Sequence, residues 1–235
     1  MSTWSLIDKV RGWQRRFWGR FELDDPRPVA AEARYTYFLP QPERLAAIAP
    51  DDLVKLVFRG TPPSRQWDAE RMWVLVTEVG PDGLVGTLDN DPSDMPQLKA
   101  GQIVRFQAWH VIDVDFADPA REPIENGPRQ YWERCLVDDC VLYGDVPVGY
   151  LYREEPEDWE EQDAKFPDSG WRIRGDYRGL DDDAIEARKA SYVALGAVLN
   201  RDDSWLALID EPVGAAFLRD FEQGGYVREE LDDAS

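Results

Sequence analysis

The sequence predicts an α+β protein of two unlike modules. The first is a small, mainly-β N-terminal module, read as a curved antiparallel sheet or partly open barrel. The second is an α+β C-terminal module, and an N-terminal amphipathic helix precedes both. Three observations carry this prediction. Short runs of β-branched and aromatic residues, bounded by Gly, Pro, Asn and Asp, crowd residues 53–116. Long helical periodicity is confined to the first 21 residues and to the stretch after Asp181. Charge also changes along the chain: residues 1–21 carry +4, 22–129 carry −8 and 130–235 carry −16, of a total of −20.

The elements follow in order. Leu6, Val10, Trp13, Phe17 and Phe21 recur every three or four residues and make one apolar stripe, with Lys9, Arg11, Arg15, Arg16 and Arg20 around it. Residues 1–25 are therefore expected to form a basic amphipathic helix, packed on its own domain with its arginines toward the acidic body. A membrane-surface helix or a partner-binding helix is the alternative. Asp24-Asp25-Pro26-Arg27-Pro28 is expected to end it, because proline cannot continue helical pairing.

The mainly-β module is expected over residues 30–117. Pro42 to Ala49 predicts a short helix, and Leu53–Phe58 and Met72–Val79 predict strands. Gly80-Pro81-Asp82-Gly83 turns the chain into a hairpin partner, Leu84–Leu88. A long strand is expected from Ile103 to Phe116. Residues 118–130, rich in Pro and Gly, read as the linker.

The second module is expected over residues 131–230. Cys135–Tyr143 and Val148–Arg153 are expected to pair as a hairpin. Glu154 to Asp168 holds eight acids and Lys165, which predicts a solvated loop. Trp171–Gly175 is a third strand. Asp181-Asp182-Asp183 caps a helix expected to run to Asn200, with negative charge at its positive dipole end. Trp205–Ile209 is short and apolar, Pro212–Phe217 reads as a turn or short helix, and Gly225–Arg228 closes as a strand.

Composition narrows the function. With 43% hydrophobic and 12% aromatic residues, the chain has material for true cores and is not globally disordered. A net charge of −20 argues against nucleic acid, whose phosphates demand a positive surface. Without an apolar run of about 18 residues, no stable membrane insertion is expected, and without a secretory signal the expected location is cytoplasmic. Cys135 and Cys140, placed on one strand, would stand roughly 17 Å apart, too far for a disulfide. Two cysteines and one histidine make a poor zinc set, so these are read as structural thiols, and no metal or cofactor is expected.

His110 is the only histidine. A histidine base needs an orienting acid and a pocket, and neither is visible, so it is read as structural. Ser169 reads as a turn serine, for no nucleophile-elbow pattern surrounds it. Asp89-Asn90-Asp91 could offer oxygen ligands to a cation but lacks an EF-hand loop, so a turn is preferred. No catalytic residue is assigned. The acidic loop is the stronger candidate, because Trp159 and Phe166 interrupt its charges. Exposed aromatics can anchor a protein interface while charges set approach rate and partner choice. Glu154, Glu155, Asp158, Trp159, Glu160, Glu161 and Phe166 are thus the expected partner-binding residues.

Residues 134–229 resemble the family called immunity protein 33, also known as domain of unknown function 2185. The resemblance rests on Pro147–Pro156, Asp168-Ser169-Gly170-Trp171-Arg172, Leu199-Asn200 and Pro212–Phe217. Residues 34–116 resemble domain of unknown function 2314, through Phe38-Leu39-Pro40, Val54–Phe58, Glu70–Val74 and Gly86–Pro92. The first resemblance implies an immunity protein that binds and blocks a bacterial polymorphic toxin, here a partner with a basic surface, and supplies no catalytic residues. A housekeeping protein-interaction module of unknown partner is the alternative, followed by an enzyme using the sheet around His110. Oligomeric state is not readable from the sequence.

Overall fold

Alternation decides the first sheet. In β2 (Leu53–Thr61), β3 (Ala69–Gly80) and β4 (Gly83–Leu88) every second side chain is buried through most of the strand, so Val54, Leu56, Phe58, Met72, Val74, Val76, Leu84 and Leu88 share one face. That face, with Val104 and Phe106 of β5 (Ile103–Phe106), is the core of the first unit. The sheet order is β1-β2-β3-β4-β5, all antiparallel, with β1 at Arg20–Leu23. The short β6 (Asp113–Asp115) pairs with Leu53–Lys55 of β2, on the edge where β1 pairs with residues 58–61. A bulge between Val76 and Glu78 bends β3 and adds to the curvature. Among the described residues the helices are short: an N-terminal segment that includes residues 15–18, α1 (Arg27–Glu32) and α2 (Pro42–Ala46). The computed structural model describes residues 13, 15–63, 67, 69–124, 127–157 and 166–229. They divide into two units, residues 1–31 with 38–128, and residues 32–37 with 129–235.

Three expectations for this unit are corrected. The N-terminal helix does not reach Phe21. Trp13 and residues 15–18 are helical, the Gly19 amide donates to the Arg15 carbonyl (2.9 Å), and Phe21 lies in β1 against the Phe58 ring. The described members of its apolar stripe, Trp13 and Phe17, are also not the buried residues. Trp13 and Phe17 pack on each other and are 64% and 62% exposed, whereas Arg15 is 3% exposed and pairs with Asp94. Leu6, Val10, Lys9 and Arg11 lie outside the described residues. The long strand to Phe116 is broken by a 3₁₀ turn at Ala108–His110. There the Gln107 amide donates to His110 Nδ1 (2.9 Å), a local side-chain bond that competes with the ladder.

The second sheet runs β10-β7-β9-β8-β11-β12. Its strands are β7 (Arg134–Asp138), β8 (Val148–Arg153), β9 (Asp168–Gly175), β10 (Ala190–Ala194), β11 (Ala216–Arg219) and β12 (Tyr226–Glu229). Only β7 and β9 are parallel. The expected hairpin is therefore absent, because β9 lies between β7 and β8. After Asp138 the chain leaves the sheet as α3 (Asp139–Tyr143). Val141 and Leu142 are adjacent and both buried, which a helix permits and an alternating strand does not. Cys140 therefore sits in α3, apart from Cys135 in β7, and both thiols are free. The single helix expected after Asp181 is three elements: α4 (Asp182–Glu186), β10, and α5 (Leu195–Leu199). The Asp181 cap stands, its carboxylate accepting from the Ala184 amide (2.9 Å). Beyond it, Tyr192 and Val193 favour an extended strand, and residues 190–194 pair with β7.

Trp171, Trp205, Leu151, Ile173, Val198 and Leu199 form the centre of this core. Residues 32–37, which the sequence places in the first module, form part of this unit. The Tyr35 amide donates to Asn200 Oδ1 (2.9 Å), Asn200 Nδ2 donates to Thr36 Oγ1 (2.7 Å), and the Tyr35 hydroxyl donates to Asp203 (2.7 Å).

Candidate partner-binding face

The acidic loop is tied at both ends by one arginine. Arg172 on β9 has a side chain only 5% exposed. Its terminal nitrogens grip both oxygens of Asp168 (2.9 and 3.1 Å), and its Nε donates to Glu154 (2.5 Å). Burial pushes the Asp168 carboxyl up, but the Arg172 hydrogen bonds and the Glu157 amide outweigh it and hold it below the usual carboxylate range. Gly170, two residues on, has φ +79, and a Cβ there would collide with the Glu154 carbonyl, so the bulge that lets β9 approach the loop needs glycine.

The expected binding residues divide accordingly. Glu154 is held by Arg172, whereas Glu155 is exposed. Phe166 is half-buried against Trp132 (6.1 Å) with the Arg134 guanidinium near its ring (6.0 Å). Asp158, Trp159, Glu160 and Glu161 lie outside the described residues.

Beside this cluster is a cleft that sequence reasoning missed. Register pairs Tyr150 with Arg174 and Tyr152 with Arg172, and puts Leu151 opposite Ile173 on the core face. The tyrosines and arginines therefore share the face turned away from the core. Tyr150, Tyr152, Arg174, Tyr177, Ile185 and Arg188 line a cleft of about 310 Å³. Asp138, 2% exposed, organises its edge: it accepts from the Gly175 amide (3.1 Å) and from Arg188 (3.2 Å), and meets Arg174 Nε at 2.9 Å. Burial raises both Tyr150 and Tyr152, so their hydroxyls stay protonated hydrogen-bond donors. The signal was present in Tyr150-Leu151-Tyr152 and Arg172-Ile173-Arg174, two period-2 patterns of polar aromatics and cations.

In the first unit, Glu78, Asp82, Arg105, Gln107 and His110 contribute to a second cleft, of about 510 Å³. His110 stacks on Trp109 (3.6 Å), and its Nδ1 is engaged by the Gln107 amide. Burial lowers the His110 pKa below the usual histidine value. Folding therefore disfavours the proton, and stability present above about pH 6.5 should fall as the pH drops through the lower folded value. His110→Ala should remove that dependence between pH 7 and 5 and lower stability by about 1 kcal/mol, the worth of a lost cap. Melting curves across that pH range check both.

Asp89-Asn90-Asp91 is an irregular bend: Asn90 Oδ1 accepts from the Trp73 amide (3.1 Å) and Asp91 from the Ala100 amide (2.8 Å). Among the described residues, no three His, Cys, Asp or Glu side chains are grouped to hold a metal ion. No helix of the described residues is long and apolar enough to cross a membrane. No curated protein and no solved structure matches the chain. From β7 to the end of β12, over residues 135–230, the chain matches the family model described as the Immunity protein Imm33 domain.

Proposed function

We propose that this chain is a non-enzymatic, acidic binding protein of immunity type, which neutralises a bacterial polymorphic toxin in the cytoplasm by direct binding. One observation carries the reading: the match to an immunity domain falls on the most acidic part of the chain. Residues 130–235 hold 27 acidic and 11 basic side chains. Such a field draws a basic protein surface and speeds encounter with it. Glu155 stands in solvent at the start of the acidic loop, and Glu154 is pinned beside it.

The test is co-expression with any toxin domain that a neighbouring gene encodes, followed by affinity measurement on the purified pair. Cells making both proteins should survive and yield a complex. The Kd should rise by about tenfold or more between roughly 0.05 and 0.5 M salt, as screening shortens the reach of the field. Undiminished toxicity with no complex at low salt would sink the proposal. Tight binding indifferent to salt would remove its electrostatic part.

A further inference from the structure

Two ion clusters of opposite residual charge lie side by side on the outer face of the second sheet. At the loop end, two carboxylates, Asp168 and Glu154, share one guanidinium, Arg172. At the cleft, two guanidiniums, Arg174 and Arg188, share one carboxylate, Asp138. Tyr152 links them, paired in register with Arg172 and lining the cleft with Arg174.

The two cleft arginines differ. Arg188 is satisfied internally: it donates to the carbonyls of Gly175 (2.7 Å) and Asp176 (2.6 Å) as well as to Asp138, and its side chain is 11% exposed. Arg174 pairs with Asp138 through Nε at 2.9 Å, its side chain is 38% exposed, and its terminal nitrogens make no hydrogen bond among the described residues. Its partly exposed guanidinium has the planar shape that binds a carboxylate with two parallel hydrogen bonds. The rest of the cleft is apolar: the Tyr150, Tyr152 and Tyr177 rings and Ile185. Tyrosine and arginine are the side chains that interface centres favour.

We propose that this cleft seats the partner's anchor, a protein segment bearing a carboxylate beside an aromatic or large aliphatic side chain. The Arg174 fork takes the carboxylate and the three tyrosines take the apolar group. Charge complementarity decides the occupant. A lysine or arginine seated among the tyrosines would face the guanidiniums of Arg174 and Arg188, which share Asp138, with Glu154 and Glu229 acting on Tyr152 and Tyr150 from outside the lining. The unit as a whole attracts a basic surface, and the cleft is where the sign reverses, so the pair of clusters fixes which way round the partner sits. The identity of that partner as a toxin rests on the proposed function; the chemistry of the cleft does not.

The experiment titrates the full chain, isotope-labelled at tyrosine and arginine, with three capped dipeptides: N-acetyl-Glu-Phe-amide, N-acetyl-Gln-Phe-amide and N-acetyl-Lys-Phe-amide. The Glu dipeptide should shift the Tyr150, Tyr152, Tyr177 and Arg174 resonances at millimolar concentration. It should bind about fivefold or more tightly than the Gln dipeptide, and the Lys dipeptide should bind weakest. Arg174→Gln should level the Glu and Gln dipeptides while leaving the resonances of tyrosines outside the cleft, Tyr35 among them, in place. Equal binding of Glu and Gln dipeptides, a preference for Lys, or no shift at about 10 mM overturns the proposal. If the dipeptide preference holds while the neighbouring toxin fails to bind, the cleft stands and the immunity reading falls. Toxin binding with no dipeptide preference is the reverse outcome.

Discussion

Arg172→Ala should lower the stability of the second unit by about 3–5 kcal/mol, the cost of leaving a buried carboxylate without its cation. The Asp168 side chain is 1% exposed, and Arg172 supplies two of its hydrogen bonds. Removing the guanidinium also frees Glu154, so both ends of the acidic loop lose their tether. A double variant, Arg172→Met with Asp168→Leu, should be less destabilised than Arg172→Ala alone, because it buries no unpaired charge. The dependence on pH should change sign. In the natural chain the folded Asp168 carboxyl lies below its unfolded value, so its contribution is full above about pH 4 and is lost as the pH falls through the folded value. In Arg172→Ala, burial acts without a compensating cation and raises that carboxyl. Stability then declines as the pH rises above about 4 and on through the raised folded value. Urea unfolding from pH 3 to 7 separates these cases. A loss under about 1 kcal/mol, with the natural acid limb retained, would show that the cluster holds neither the loop nor the sheet.

What could be read from sequence followed from the period of each pattern. β2, β3, β4 and β9 stand where alternating or β-branched runs placed them, and the Gly80–Gly83 turn joins β3 to β4 as expected. The errors came where two periods compete over a few residues. Val137 to Leu142 is apolar enough for a strand, yet the adjacent burial of Val141 and Leu142 is satisfied only by a helical turn. The stretch from Ile185 to Leu199 has helix-compatible spacing, but pairing with β7 wins over Ser191–Val193. Strand order across β7, β9 and β8 had no local signal, because it depends on a parallel contact between residues more than 30 apart. The site was half legible for the same reason. Charge density exposed the acidic loop. The cleft needed strand register and the distant Asp138 to bring Arg174 and Arg188 together.

The largest effect from a residue outside the family match is expected at Tyr35. Residues 32–37 complete the second unit although the family model begins at residue 135. The Tyr35 ring packs on that unit's core and on Tyr131 (6.0 Å), and its backbone and hydroxyl take partners from Asn200 and Asp203. Tyr35→Ala should therefore cost about 2–4 kcal/mol through lost packing and unpaired polar groups. Asn200→Ala, which leaves the Tyr35 amide unpaired and breaks the bond to Thr36, should cost about 1–3 kcal/mol. The two changes undo one contact, so together they should cost clearly less than their sum. Gly196→Ala supplies an independent probe. Its Cβ would lie 2.5 Å from the Tyr35 carbonyl, so the segment must move even though alanine is the better helix former in α5. In the Tyr35→Ala background that penalty should shrink. Hydrogen exchange of the β10 and α5 amides should rise in all three single variants and leave β2 and β3 unchanged. Additive costs, or exchange that rises equally in both units, would mean that residues 32–37 only lie along the second unit and do not hold it together.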